Sequence, residues 1–241
     1  LRCEETELPF RMLPGLPEIL ADQPYIHQLR PVEIEDLLGR APVSLELPEL
    51  STELRRQSVM VTGAAGSIGS ELCRQIALHA PERLVLVDQA ETPLVELERD
   101  LEERHPELPL VPVVADVTDG RAVRRLFHAY RPHQVFHAAA YKHVPMMEVN
   151  PEAAVWNNVV GTWTMARTAG ESGTGKFVLV STDKAVRPAN VMGATKRLAE
   201  LVVVAAQKRF SWTSFGAVRF GNVLGSSGSV IGLFGRQLAE G

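Results

Sequence analysis

From residue 58 onward, short runs of apolar residues alternate with longer stretches in which apolar side chains recur at helical spacing. The apolar runs predict strands over 58–62, 83–88, 110–115, 134–138, 177–181 and 214–219. The stretches between them predict helices over 68–79, 91–105, 119–130, 152–171 and 190–210. Continuous apolar strands are typical of a parallel sheet that is covered on both faces. The pattern therefore predicts an α/β fold built on a doubly wound parallel sheet.

Residues 1–57 lack this alternation because prolines interrupt every long element. These prolines are Pro9, Pro14, Pro17, Pro24, Pro31, Pro42 and Pro48. Two interpretations of the segment stay open: an arm that packs on the main domain or on a neighbouring subunit, and a linker from an upstream domain. We expect a boundary between this segment and an α/β domain over 58–241. The chain begins with Leu1 rather than Met, which suggests a piece of a longer protein.

The composition is that of an ordinary globular protein, with 45% apolar and 22% charged residues. The net charge of −4 gives no electrostatic basis for binding nucleic acid. Two cysteines, Cys3 and Cys73, make no disulfide framework, so a reducing compartment is expected. No apolar run reaches the ~18 residues that span a bilayer, and no signal peptide is visible. No metal site is predicted.

A glycine-spaced turn joins the first predicted strand to the first predicted helix. Gly63 permits a tight turn, Gly66 lets a phosphate approach bare backbone, and Gly69 allows the helix to pack closely on the strand. The N–H groups that open the helix can hold a pyrophosphate. Asp88 ends the second strand about 20 residues later, where a carboxylate can accept a hydrogen bond from the adenosine ribose. An ordinary glycine-rich turn is the alternative, but this context favours a Rossmann-type domain that binds a dinucleotide.

Two further strand ends carry candidate cofactor contacts. Asp116 and Val117 follow the third strand, where a carboxylate can accept from the adenine amino group. A helix N-cap at a nearby turn is the alternative role for Asp116. The small residues 138–140 follow the fourth strand and let a dinucleotide lie across the backbone. Lys142 either faces a phosphate or sugar hydroxyl or lies solvated on a loop, and His143 is interpreted as structural.

The fifth strand ends in a hydroxyl, a carboxylate and an amine, contributed by Thr182, Asp183 and Lys184. Such groups are costly to hold together near a crevice unless they are used there. Met192 and Lys196 follow on the next predicted helix, one turn apart and therefore on the same face. The sequence thus predicts a reactive cluster at the carboxyl end of the sheet.

These residues resemble an extended short-chain dehydrogenase/reductase. The longer strings at 137–145, 181–185, 190–197 and 219–229 resemble the nucleotide-sugar 4,6-dehydratases of bacterial polysaccharide and glycan biosynthesis. Within these, the chain is most similar to the membrane-associated UDP-N-acetylglucosamine 4,6-dehydratases of the CapD, WbpM and PglF kind. The resemblance covers about residues 30–241. It implies that most of a smaller C-terminal substrate subdomain lies beyond Gly241.

The resemblance implies a three-step reaction. The C4 hydroxyl of the sugar loses a proton as C4 passes a hydride to the nicotinamide. Water is then eliminated across C5 and C6, and the hydride returns to C6. The product is a UDP-4-keto-6-deoxy sugar, and the cofactor leaves as it entered. A nucleotide-sugar 4-epimerase and a non-catalytic dinucleotide-binding module are the alternative functions.

The resemblance also implies the catalytic roles. Thr182 hydrogen-bonds the C4 oxygen and relays its proton, and Asp183 protonates the departing C6 hydroxyl, so its pKa must lie well above the ordinary ~3.9. Lys184 removes the C5 proton and must be neutral in part, which sharing one proton with Asp183 can provide. Lys196 holds the nicotinamide ribose. Met192 stands where most of the superfamily has a tyrosine, and a thioether cannot take a proton.

The remaining assignments concern ligands and location. NAD is favoured over NADP because Asp88 would repel a 2′-phosphate, although arginines elsewhere can offset this. The cofactor residues are Gly63, Ala65, Gly66, Ser67, Ile68, Gly69, Asp88, Asp116, Val117, Ala138, Ala139, Ala140 and Lys196. The substrate residues, for a UDP-sugar, are Lys142, Asn222 and Ser226, with a simple Gly/Ser turn as the alternative for the last two. We expect a homo-oligomer in the cytoplasm, anchored at the inner membrane only through a region upstream of this chain.

Overall fold

Six parallel strands form the centre of the described part of the protein, which comprises residues 52–221 and 223 of a computed structural model. The strands are β1 (Ser58–Thr62), β2 (Arg83–Asp88), β3 (Leu110–Val114), β4 (Gln134–His137), β5 (Lys176–Thr182) and β6 (Ser214–Phe220). Their order is β3-β2-β1-β4-β5-β6. This is the order of a Rossmann-type sheet, in which the direction of winding reverses beside β1. The predicted fold class is confirmed.

Seven α-helices that lie wholly within the described residues connect and flank these strands. They are α1 (Ser67–Ala77), α2 (Glu91–Arg104), α3 (Gly120–Tyr130), α4 (Val144–Val149), α5 (Pro151–Val155), α6 (Gly161–Glu171) and α7 (Val191–Arg209). A π-helical turn, Trp156–Val160, joins α5 to α6, and a 3₁₀ turn, Asp183–Ala185, follows β5. The helix predicted over 152–171 is therefore interrupted. The short helix α4 was not predicted because six residues are too few to show a helical period.

The sheet is apolar on both faces, as the continuous apolar strands predict. Alternate side chains of β1 belong to different core clusters: Val59 and Val61 pack with α1 and α2, whereas Met60 packs with α3, α6 and α7. All three side chains are fully buried. A strand that is buried on both faces carries apolar side chains on both. The polar side chains of β1–β5 are therefore concentrated at the strand ends.

The residues immediately before β1 contact the amino end of the sheet. Leu54 is buried, and the Glu53 carboxylate lies 2.6 Å from the Lys176 ammonium. The Gln134 side chain donates a hydrogen bond of 3.1 Å to the Glu53 carbonyl. Residues 1–51 of the predicted arm lie outside the described residues, and the boundary at 57 stays a prediction. None of the helices in the described ranges is long and apolar enough to cross a membrane.

Candidate active site

The glycine turn after β1 is held by close backbone contacts. Gly63 has a φ of +66°, and a Cβ built on it would lie 2.5 Å from the Ala139 nitrogen. A Cβ on Gly69 would overlap the Gly63 carbonyl oxygen. Both glycines are therefore required for the protein's own backbone to pack, since a methyl group at either position would displace main chain.

Gly66 differs from these two glycines because little protein surrounds it. Its φ of −73° is open to any residue, and a Cβ there would meet one atom within 4 Å, the Gly63 carbonyl oxygen at 3.3 Å. Gly66 precedes α1, whose N-terminus has no side-chain cap. The first N–H groups of a helix have no acceptor within it and favour an anion. The geometry at Gly66 fits a cradle that a phosphate can approach and a Cβ would fill.

An open groove lies beside this cradle at the carboxyl ends of β1, β2 and β4. The predicted cofactor residues that line the groove are Gly63, Gly66, Asp88, Val117 and residues 138–140. In a doubly wound sheet, ligands bind outside the strand ends where the winding reverses, which is where this groove lies.

Asp88 connects two parts of the groove wall. One carboxylate oxygen accepts a hydrogen bond of 3.0 Å from the Ala65 backbone N–H, and the other accepts one of 3.0 Å from the Ala90 N–H. Each oxygen of an ionised carboxylate retains a second acceptor position. Asp88 can therefore hold the glycine turn and still accept from a ligand hydroxyl.

Several other predicted residues do not line the groove. Ser67, Ile68 and Gly69 lie in the first turn of α1. Asp116 is exposed, and its carboxylate accepts a hydrogen bond of 2.8 Å from the Thr118 N–H, which is a turn contact. Lys142 is exposed beside the groove residue Tyr141. Asn222 and Ser226 are outside the described residues, so their substrate role stays a prediction.

The three polar groups after β5 contact one another. The Thr182 hydroxyl donates a hydrogen bond of 2.9 Å to an Asp183 carboxylate oxygen, and the Lys184 ammonium lies 3.1 Å from the same oxygen. β5 pairs with β4, so this cluster lies at the same edge of the sheet as the loop over 138–140. The arrangement places a hydroxyl, a carboxylate and an amine within reach of one small molecule.

The charge state of Asp183 differs from the prediction. The hydrogen bond from Thr182 and the contact with Lys184 lower the pKa of Asp183, whose side chain is 56% exposed. An exposed carboxylate with two donors is ionised at neutral pH. This differs from the protonated Asp183 that the predicted acid role requires, and that role stays a prediction.

Lys196 is a buried lysine whose side chain points to the end of β5. Its residue exposure is 5%, and its ammonium donates a hydrogen bond of 2.7 Å to the Val180 carbonyl. Burial lowers the pKa of Lys196 to about 8, although the nearby Glu200 opposes the shift. Met192, one turn earlier, is buried with Met147 and Ala154 in an apolar cluster. Met192 therefore packs in the core, and a catalytic role for it stays a prediction.

A buried polar connection runs through Asn158, and the sequence pattern did not predict it. The Asn158 side chain accepts from the Tyr141 N–H at 2.8 Å and donates to the Tyr141 carbonyl at 3.1 Å. It also donates to the Thr195 hydroxyl of α7 at 3.0 Å. Asn158 thus joins the groove loop to the helix that carries Lys196. The available signal was two adjacent asparagines inside an apolar helical pattern, since asparagine is a poor helix former.

His137 is a second buried polar residue without an assigned role. It lies at the end of β4, where Thr62 is 2.6 Å from Nδ1 and Thr162 is 3.1 Å from Nε2. Burial, together with the charge of Lys196, lowers the pKa of His137 to about 3, so the ring is neutral. Among the described residues, no group of three or more His, Cys, Asp and Glu side chains is placed to hold a metal ion.

The sequence is similar to known proteins over most of its length. Residues 59–241 match the family described as polysaccharide biosynthesis protein. The chain is 46% identical over 230 residues to the capsular polysaccharide biosynthesis protein CapD of Staphylococcus aureus, an alignment that covers 95% of this chain and 38% of CapD. It therefore spans well under half of that relative.

Two further relatives carry named activities. The chain is 32% identical over 190 residues to a UDP-N-acetylglucosamine 4,6-dehydratase (inverting) of Campylobacter jejuni, which covers 77% of this chain and 55% of that protein. It is 33% identical over 193 residues to the UDP-glucose 4-epimerase of Rickettsia canadensis, which covers 77% of this chain and 54% of the epimerase. These identities are nearly equal, so they do not distinguish dehydration from epimerisation.

Solved structures share the fold. Pen from Bacillus thuringiensis superposes with a TM-score of 0.73 at 31% identity, covering 78% of this chain and 57% of Pen. The dTDP-glucose 4,6-dehydratase DesIV from Streptomyces venezuelae, solved with NAD bound, superposes with a TM-score of 0.58 at 24% identity, covering 67% of this chain and 52% of DesIV. From the match over 59–241 and the relationship to CapD, we conclude that the chain belongs to the polysaccharide biosynthesis protein family, whose relatives include UDP-N-acetylglucosamine 4,6-dehydratases and nucleotide-sugar epimerases.

Proposed function

We propose that this chain carries the cofactor site and catalytic groups of a 4,6-dehydratase that acts on UDP-N-acetylglucosamine with NAD. The observation that supports dehydration is the contact among Thr182, Asp183 and Lys184 at the end of β5. Elimination of water needs a base for the C5 proton and an acid for the departing hydroxyl. Lys184 and Asp183 offer these two functions side by side. Epimerisation at C4 requires neither.

The groove residues suit a dinucleotide. Gly66 and the uncapped start of α1 would hold the pyrophosphate, and Asp88 would accept from the adenosine ribose. When bound, NAD supplies the acceptor and later the donor of one hydride. A carboxylate at position 88 repels a 2′-phosphate, so NAD is expected to bind more tightly than NADP.

The chain's own residues would move the protons. Thr182 would hydrogen-bond the C4 oxygen, and Lys196 would hold the nicotinamide ribose and balance negative charge near it. A thioether at position 192 accepts no proton, so the C4 proton would leave through Thr182, either to water or toward Lys196. Lys196 is suited to this task because a pKa of about 8 lets it exchange a proton near neutral pH.

Asp183 must gain a proton before it can act as the acid. Its carboxylate is open to water, so a sugar that covers it would remove hydration and raise the pKa of Asp183. The 3.1 Å contact with Lys184 then allows one proton to pass from the ammonium to the carboxylate. The pair would become a neutral amine and a protonated acid, which are the two forms that elimination uses.

The test is to incubate the product of the complete gene with UDP-N-acetylglucosamine and NAD, and to analyse the sugar by mass spectrometry and NMR. Loss of one water with a keto group at C4 supports the dehydratase. Unchanged mass with inverted C4 indicates the epimerase. A protein that binds NAD and leaves the sugar unchanged contradicts both functions and supports a binding module.

A pair of variants tests the base. We expect Lys184→Ala to reduce elimination by about 10²–10⁴-fold, the usual contribution of a general base, with NAD binding retained. Lys208→Ala is the matched control, because Lys208 is an exposed lysine in the last turn of α7. Undiminished elimination by Lys184→Ala would refute its role. The cytoplasmic location, the anchor at the inner membrane and the homo-oligomer stay predictions.

A further inference from the structure

Glu200 is a buried carboxylate that the proposed reaction does not use. It lies on α7, one turn after Lys196, and is 4% exposed. The Arg219 guanidinium contacts both of its oxygens, Nε at 2.7 Å and Nη2 at 2.6 Å. The Ser181 hydroxyl donates to it at 2.7 Å, and Arg197 at 3.0 Å. Four donated hydrogen bonds stabilise the ionised form and lower the pKa of Glu200 to about 2, with Arg219 the largest cause.

The donors to Glu200 come from the ends of two neighbouring strands. Ser181 and Arg219 stand opposite each other in the β5–β6 pairing. Ser181 directly precedes the Thr182–Asp183–Lys184 cluster, and Arg219 is two residues before Gly221. A Cβ on Gly221 would lie 3.7 Å from an Asp183 carboxylate oxygen, so the segment leaving β6 passes beside the cluster. One carboxylate therefore ties α7 to both strand ends that border the reactive groups.

The same carboxylate supplies negative charge near Lys196. Two titratable groups interact electrostatically with Lys196: Glu200 on α7 and His137 on β4. Arg197 on α7 and Arg219 on β6 contact Glu200, and Asp183 and Lys184 follow β5, whose Val180 carbonyl accepts from the Lys196 ammonium. His137 is neutral, and both arginines donate to Glu200. Burial lowers the pKa of Lys196, and Glu200 is the group that raises it in opposition. Removing the charge of Glu200 would leave the effect of burial unopposed.

We propose that Glu200 is a positioning residue of the active site, which fixes the ends of β5 and β6 against α7 and holds a negative charge one helical turn from Lys196. The proposal rests on the proposed function, in which Lys196 and the cluster after β5 take part. It assigns Glu200 two separable effects. The negative charge raises the pKa of Lys196, and the length of the side chain lets it hold the ends of β5 and β6 in place.

Glu200→Gln tests the charge, because glutamine keeps the length and an acceptor oxygen. The pKa of Lys196 is measured by NMR titration of the 241-residue chain labelled at the lysine side chains, with Lys196→Met identifying the signal. We expect the pKa of Lys196 to fall below about 8 in Glu200→Gln. Glu96→Gln, at an exposed position on α2, is the control and should leave the titration unchanged. An unchanged Lys196 titration in folded Glu200→Gln overturns the electrostatic part.

Glu200→Asp tests whether the length of the side chain matters for the strand ends. It also keeps the proposal testable if Glu200→Gln does not fold. It keeps the charge but shortens the side chain by one methylene. We expect faster amide hydrogen exchange in the peptide over 180–185 and dehydration reduced about 10- to 100-fold, as for a small misplacement of reacting groups. Wild-type exchange and turnover in Glu200→Asp overturn the positioning part. The titration and exchange need no substrate, so they remain decisive even if the wild-type protein dehydrates no sugar.

Discussion

Gly193 of α7 lies directly against the main-chain carbonyl of Lys184: a Cβ built on this glycine would be 2.5 Å from the carbonyl oxygen. The helix start is fixed at this point by Asn190, whose side chain accepts from the Gly193 N–H at 2.7 Å. A glycine on the helix therefore lets α7 approach the turn that carries Asp183 and Lys184. A side chain here would separate the two elements.

We predict that Gly193→Ala reduces dehydration at least about tenfold while NAD binding changes little, because the added methyl group moves Lys184 but not the groove. Steady-state kinetics and a fluorescence titration with NAD measure the two effects. Gly216→Ala is the matched control, since a Cβ on that glycine meets nothing within 4 Å. Full activity in Gly193→Ala would contradict the assignment of Lys184 to the reaction.

Gly66→Ala should weaken NAD binding by about tenfold or more, which corresponds to ~1.4 kcal/mol, at little cost in stability. The reason is that a Cβ at this position enters the space proposed for a phosphate and meets only the Gly63 carbonyl at 3.3 Å. Isothermal titration with NAD and thermal unfolding check the prediction. Gly69→Ala provides the contrast, because its methyl group would overlap the Gly63 carbonyl and should impair folding itself. Equal NAD affinity in Gly66→Ala and wild type would show that the pyrophosphate does not bind at Gly66.

Asp88→Asn should raise the affinity for NADP relative to NAD, because it removes the charge that repels a 2′-phosphate. Absolute NAD affinity should also fall, since the amide replaces one of the oxygens that accept from Ala65 and Ala90. Parallel titrations with NAD and NADP give the ratio. Glu91→Gln, at the exposed start of α2, removes a nearby charge without these contacts and should leave the ratio unchanged. A ratio in Asp88→Asn equal to that of wild type argues against a ribose contact.

His137 should make the folded state less stable as the solution becomes more acidic. Its pKa is lowered to about 3 in the folded protein, against 6.5 ordinarily, so between about pH 6.5 and pH 3 only the unfolded chain binds this proton. Stability is then lost as pH falls, by at most about 1.4 kcal/mol per pH unit from this one group. Urea unfolding of wild type and His137→Asn between pH 7 and 5 measures the slope, which should be smaller in the variant. His128→Asn, an exposed position on α3, should keep the wild-type slope.

The fold could be predicted largely from the chain's pattern. The bounds of β1 and β2 agree with prediction, β3, β4 and β6 differ by one residue at one end, and β5 is one residue longer at each end. The agreement is close because buried parallel strands are short apolar runs that polar turns delimit. The glycine turn was also predictable, because Gly63, Gly66 and Gly69 follow a predicted strand, precede a predicted helix and have the spacing of a dinucleotide-binding turn. The interruption of the helix over 152–171 was less predictable. Its π-helical turn contains Asn158, whose partners Tyr141 and Thr195 are distant along the chain.

The sequence by itself determined which chemical groups stand at the ends of the strands, because strand, turn and helix signals are local and parallel strands all end at one edge. Only the tertiary structure decided their charge states and the residues that hold them in place. Asp183 is ionised because it is exposed to water and because Thr182 and Lys184 contact it. Lys196 has a lowered pKa because the fold buries it, and Glu200 meets Arg219 because β6 pairs beside β5. Burial and partners that are distant along the chain arise from packing, and no local pattern contains them.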